Sequence, residues 1–191
     1  MNMRRSQNVK RLYIAAALAA LLSPPTSHAD ETMANSTYTY IKDSLSQTWA
    51  ADDYELFIPV NVWHNRNYYS SEKIDSYNEQ PWGLGIGKYR YDSDGDWHSL
   101  YIMAFSDSHS DTEPVAGYAF QKMWRPNDEF RLGAGYTAGL TLRKDFNYLP
   151  LPVLAPVASI EYKQLALQST YIFGGQGNGN ILFTWLRWQL K

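Results

Sequence analysis

Three side chains in this sequence have the types that acyl transfer needs. Asp107 and Ser108 follow a run in which Leu100, Ile102 and Ala104 alternate with other residues. His64 closes a similar run that contains Ile58, Val60 and Val62. An imidazole can take a proton from an attacking hydroxyl, and a carboxylate can orient the ring or stabilise its charged form. A serine hydroxyl can serve as nucleophile or donate to the oxyanion. Both groups stand where alternation gives way to polar residues, so two strands ending at one rim would bring them together. His98 and His109 carry no comparable pattern, and His109 reads as a loop residue.

The elements that must position these groups begin after a leader. Arg4, Arg5, Lys10 and Arg11 precede an apolar run at residues 12–22, and Ser27-His28-Ala29 supplies small residues for cleavage after Ala29. Residues 1–29 therefore read as a secretory signal peptide, too short for a membrane-spanning helix. Residues 30–52 form a second segment, in which Tyr38, Ile41, Leu45, Thr48 and Trp49 share one helical face. That pattern predicts a short amphipathic helix, packed on a core or lying at a membrane surface. Residues 53–191 form the third segment and contain eight strand-like runs.

The clearest run covers residues 130–142. Leu132, Ala134, Tyr136, Ala138 and Leu140 alternate with Gly133, Gly135, Thr137, Gly139 and Thr141. Large apolar residues on one face and small or polar ones on the other suit a strand facing lipid outward. A soluble ligand-binding barrel would show the reverse. The run at 82–87 repeats the pattern, with Gly83, Gly85 and Gly87 on the inner face. Asp92-Ser93-Asp94-Gly95-Asp96 has its glycine in the wrong place for a calcium loop and reads as a hairpin turn. Pro150, Pro152 and Pro156 predict that strand hydrogen bonding lapses nearby.

Composition narrows the class. Removal of the leader takes four basic residues and no acidic ones, leaving a net charge of −6 and no basic cluster. That argues against a nucleic-acid partner. Cysteine is absent, so an exported chain of this size must be held by a large core or by a membrane. No metal cluster, nucleotide loop or cofactor motif is present in the sequence. Fifteen tyrosines and seven tryptophans recur near strand ends, as in the aromatic girdles of membrane barrels. The fold expected is all-β: an eight-stranded antiparallel transmembrane β-barrel behind a short amphipathic α-helix.

Five motifs in order carry a family resemblance: Trp63-His64, Asn78-Glu79-Gln80-Pro81-Trp82-Gly83, Phe105-x-Asp107-Ser108, Trp124-Arg125-Pro126, and Asn147-Tyr148-x-Pro150-Leu151-Pro152-Val153-Leu154. Together they resemble the PagP-type lipid A palmitoyltransferases of the outer membrane. The resemblance implies transfer of a palmitoyl chain from the sn-1 position of a phospholipid to a hydroxyacyl chain of lipid A. It implies His64, Asp107 and Ser108 as catalytic residues. It also implies lateral gaps in the barrel wall, one flanked by Pro59 and Pro81 and another by Pro156, whose partner position holds Phe173. The family's acyl pocket is floored by glycine, and that position is Ala119 here, which predicts a pocket about one carbon shorter. A phospholipid donor, a lipid A acceptor, an outer-membrane location, a monomeric state and no cofactor follow from the same resemblance. A departure is the C-terminal Leu190-Lys191 in place of a terminal aromatic.

Two other classes remain open at this stage. A phospholipase- or esterase-like barrel would use the same residues but deliver the acyl group to water. A non-enzymatic structural barrel would pack charged side chains inside, whereas Gly, Ala and Thr at several inward positions leave space for an alkyl chain.

Overall fold

The computed structural model describes residues 28–175 and 178–190. The leader assigned to residues 1–29 lies outside the described residues except for His28 and Ala29, which begin helix α1 (His28–Ala50). The strands are β1 (Asp53–His64), β2 (Gly83–Tyr91), β3 (Trp97–Ser106), β4 (Thr112–Trp124), β5 (Phe130–Leu142), β6 (Pro150–Tyr162), β7 (Leu165–Ile172) and β8 (Ile181–Leu190). A five-residue helix, α2 (Ser71–Asp75), interrupts the connection from β1 to β2. The strands close in sequence order into an antiparallel barrel, with β8 pairing β1. Closure gives every strand two neighbours, as a strand structure in hydrocarbon requires.

The sidedness expected for residues 130–142 is present in the barrel. Gly133, Thr137 and Thr141 are buried, while Leu132, Tyr136 and Leu140 are exposed. Outward residues such as Leu84, Ile86, Ile102 and Leu154 extend this apolar surface around the wall. Leu154 is 78% exposed and Trp82 76%, values that water would penalise and a bilayer would not. No described helix is long and apolar enough to cross a membrane.

The polar turn expected after β2 closes between Asp92 and Asp96, with Gly95 at φ 80°. Only glycine adopts that backbone without a steric cost. The amphipathic helix meets the barrel through only part of its expected stripe. Residues 44–191 form one compact unit. Within it, α1 meets the barrel through Ser44 and Thr48, which are buried, while Trp49 stays exposed. Thr48 Oγ1 donates to Ser44 O at 2.7 Å and accepts from Arg90 Nε at 3.3 Å. Lys88 Nζ donates to Trp49 O at 2.9 Å. A small polar pair therefore fixes the helix end, and the large apolar residues remain available for a lipid interface.

The barrel interior has two zones. Near the α1 end it is filled by ions: Arg187 pairs with Glu161 and Glu55, and Arg131 also pairs with Glu161. Charged filling was expected of a structural barrel, and it occurs here in this zone alongside the small residues expected at several inward positions. Tyr91 OH donates to Glu161 Oε2 at 3.0 Å, and the Arg187 guanidinium lies 4.3 Å from the Trp97 ring centroid. The other zone is apolar, with Phe57, Val62, Met103, Val157, Phe183 and Trp185 forming one cluster.

β6 also refines an expectation. All three of its prolines sit within the strand, which pairs with β5 along its whole length. Pairing with β7 stops at Val157↔Thr170. Residues 150, 152 and 156 share one parity, so their nitrogens point to the same edge. Thr170 Oγ1 donates to Pro156 O at 2.7 Å, which identifies that edge as the β7 side. The missing N–H groups face the side on which the ladder has ended, so none is lost from a pair.

Candidate active site

β1 brings His64 to the rim, but not by simple alternation. Ile58 and Val60 face outward, and unbroken alternation would send Val62 and His64 the same way. Instead the register against β8 slips between Pro59 and Asn61: Pro59 faces Trp185 and Asn61 faces Thr184, leaving Val60 as the extra residue. This bulge reverses the facing of everything after it. Val62 and His64 become buried, 3% and 2% exposed, where the sequence pattern grouped Val62 with the outward Ile58 and Val60. Pairing of β1 with β2 has already stopped at Phe57↔Gly85.

The hairpin between β3 and β4 supplies the hydroxyl. Asp107 N–H donates to Asp111 O at 2.8 Å, and Ser110 adopts φ 64° to close the turn. Asp107 Oδ1 accepts from the backbone N–H groups of His109 at 2.8 Å and Asp111 at 2.9 Å. The carboxylate thus fixes the loop that presents Ser108. Ser108 Oγ lies 3.0 Å from His64 Nε2.

The carboxylate that meets the His64 ring is Glu79, 3.0 Å from Nδ1. Arg66 holds Glu79 from the far side, through Nη1 to Oε1 at 2.5 Å and Nη2 to Oε2 at 2.7 Å. The hydrogen bonds from Arg66 outweigh the opposing effect of partial burial and, with a further contribution from the His64 backbone N–H, bring the Glu79 pKa down to about 2. The ring is further flanked by Tyr69 and Tyr77, with centroids 5.1 and 4.7 Å away. Sequence reasoning brought His64, Asp107 and Ser108 to one rim and missed Glu79 as a ring partner. Its only signal was a carboxylate in the motif preceding Pro81-Trp82.

Beneath this rim lies a cavity. Val62, one inward position below His64, pairs with Phe183, which lines the cavity with Met103, Val115, Val157 and Trp185. Ala119 lines the same cavity and is 4% exposed. It also packs with Trp97 and Met123. One inward step beyond it, Gln121 Oε1 accepts from Gln168 Nε2 at 2.8 Å and from Ser159 Oγ at 3.0 Å. Trp185 Nε1 donates to Gln168 Oε1 at 2.9 Å. A satisfied polar layer thus ends the apolar zone. Of the prolines assigned to lateral gaps, Pro59 stands at the bulge, Pro81 in the connection just before β2, and Pro156 where β6 loses its pairing with β7. Among the described residues no group of three or more His, Cys, Asp or Glu side chains could hold a metal ion.

The comparisons with known proteins agree with this architecture. Residues 44–187 match the family described as "Antimicrobial peptide resistance and lipid A acylation protein PagP". A protein of Laribacter hongkongensis (strain HLHK9) named Lipid A acyltransferase PagP is 61% identical over 148 residues, covering 78% of this chain and 72% of the relative. Its namesake from Musicola paradisiaca (strain Ech703) is 54% identical over 153 residues, 78% of this chain and 80% of the relative. That from Dickeya chrysanthemi (strain Ech1591) is 48% identical over 185 residues, 94% of this chain and 95% of the relative. The chain, with its eight-stranded barrel and a histidine–serine pair at the rim, belongs to the PagP family.

Proposed function

We propose that this protein is an outer-membrane lipid A acyltransferase that moves a palmitoyl or slightly shorter chain from a glycerophospholipid to lipid A. The observation that carries the proposal is the pairing of His64 Nε2 with Ser108 Oγ, 3.0 Å apart, above an apolar cavity in a wall suited to lipid. Relatives about half identical to this chain are named Lipid A acyltransferase PagP, which supports lipid A as the acceptor.

His64 acts as the base and Ser108 as the hydroxyl it activates. In the first half-reaction Ser108 Oγ attacks the donor ester carbonyl as its proton passes to His64 Nε2. The glycerol oxygen leaves with that proton, and the acyl chain stays on Ser108. In the second half-reaction a lipid A hydroxyl gives its proton to Nε2 and attacks the acyl-serine, returning Ser108 to its starting state. Asp107 contributes by holding the turn that presents Ser108. The alkyl chain occupies the interior cavity down to Ala119, and the breaks in pairing beside Pro59–Pro81 and Pro156 admit lipids from the membrane plane. One barrel contains every group used, so a monomer suffices, and no cofactor is required.

The test is mass spectrometry of lipid A after reaction with a defined phospholipid donor. Added acyl mass that disappears with His64→Ala or Ser108→Ala supports the transferase. Release of free fatty acid with no acylated lipid A would show a lipase instead, and neither product from folded protein would leave a binding barrel.

A further inference from the structure

We propose that Glu79 is the positioning residue that sets the tautomer and aim of His64, and that Arg66 holds Glu79 in that role. The inference rests on the acyl-transfer reading of His64 and deepens it. The segment containing Glu79 is tied to both halves of the site. Its own carbonyl accepts from Val62 N–H at 3.0 Å and from Asn61 Nδ2 at 3.0 Å, directly after the bulge that turns His64 inward. Its neighbour Asn78 donates N–H to Ser108 O at 2.8 Å and Nδ2 to Ser106 Oγ at 3.0 Å. Residues 78 and 79 thus bridge the end of β1 to the end of β3, replacing the strand pairing that β1 and β2 lack there.

The side chain then acts on the imidazole. Oε1 accepts from the His64 backbone N–H at 3.0 Å and lies at the same distance from Nδ1. An ionised carboxylate can only accept, so Nδ1 must carry the ring proton. That leaves the Nε2 lone pair facing Ser108, the arrangement a base requires. Arg66 Nη1 also donates to His64 O at 2.8 Å, so one guanidinium closes the clamp over backbone and carboxylate together. Asp107 Oδ1 instead accepts from the backbone N–H groups of its own turn.

The groups facing the ring are Glu79 with Arg66 behind it, the Tyr69 and Tyr77 rings, and Ser108; Lys73 Nζ lies over both tyrosine rings and His109 meets Tyr77 edge-on. Glu79 is the carboxylate in contact, and its charge favours the imidazolium that forms as Ser108 is deprotonated.

The experiment compares wild type, Glu79→Gln and His64→Ala in detergent with one phospholipid donor and lipid A, across pH. Glutamine keeps the volume and an acceptor oxygen but removes the charge. The expected result is a fall in kcat of at least about tenfold, part of the roughly 10²–10⁴ that a positioned base supplies, with KM unchanged. The acid limb of the pH–rate profile moves to lower pH, because the variant no longer sets a negative charge against the base. A merely structural role would not move that limb. Long-range ¹H–¹⁵N spectra of the wild-type imidazoles give a readout independent of activity, and His64 should show the Nδ1–H tautomer. An Nε2–H tautomer at His64, or a Glu79→Gln enzyme with wild-type kcat and an unmoved acid limb, overturns the inference. Transfer that survives His64→Ala instead overturns the assignment of His64 as the base, on which the inference rests.

Discussion

Ala119 gives the sharpest test of the cavity. Its methyl is buried, lines the cavity beside Trp97, and sits one inward position above the hydrogen-bonded layer of Gln121, Gln168 and Ser159. That layer is satisfied and cannot yield without orphaning a buried amide, so on the proposed reading the depth available to an alkyl chain is set at Ala119. Replacing Ala119 by glycine removes one methyl, about the room of one methylene. A buried methylene is worth about 0.8 kcal/mol, close to fourfold in selectivity. Forcing an extra methylene into filled space costs about 1–3 kcal/mol, or roughly 5- to 150-fold. Ala119→Gly should therefore move the preferred donor chain one carbon longer and improve use of the longest accepted chain by at least about fourfold. Ala119→Val should move it shorter by a similar step. The assay offers 14-, 15- and 16-carbon donors in equimolar mixture and reads the added mass on lipid A. An identical chain-length profile for wild type and both variants would refute the assignment of Ala119 as the floor.

Two further outcomes follow from charged groups at opposite ends of the barrel. Arg187→Met removes the cation from between Glu55 and Glu161, which are both fully buried. It should destabilise the barrel by about 3–5 kcal/mol, read as a lower denaturant midpoint in detergent, with chain-length preference retained. At the rim, the Glu79 carboxylate is held at a pKa of about 2 against an ordinary value of 4.5. A depressed pKa stabilises the folded clamp fully above about pH 4.5, and that contribution is lost as pH falls through about 2. Hydrogen exchange of the His64 amide, which donates to Glu79, should accelerate across that window beyond its intrinsic rate in wild type but not in Glu79→Gln.

Much of the fold was legible because a membrane barrel writes one rule into every strand. Leu132 to Leu140 alternate with glycine and threonine because lipid and a narrow interior make opposite demands on adjacent residues. The absence of cysteine and the aromatic excess pointed the same way. The interior charges were harder to see. Glu161 and Arg187 share the inward parity of Ser159 and Trp185, but the pairing of charges from β1, β5, β6 and β8 exists only once the sheet has closed. The stripe of α1 was also visible, yet of its members Thr48 is buried, with Ser44 beside it, while Trp49 stays exposed.

By itself, then, the sequence determined the strand pattern, the outward apolar face and the candidate chemistry of His64, Asp107 and Ser108, because period-two alternation and side-chain type are local properties. Tertiary structure decided which way those groups point and what they meet. Alternation alone would have sent His64 into the lipid with Ile58 and Val60, and the slip between Pro59 and Asn61 against β8 turned it inward. A bulge is defined by the register of two strands distant in sequence, so one strand's residues cannot specify it. The same holds for Glu79, 15 residues from His64 along the chain. It reaches the imidazole only because its backbone takes the place of the missing partner beside β1.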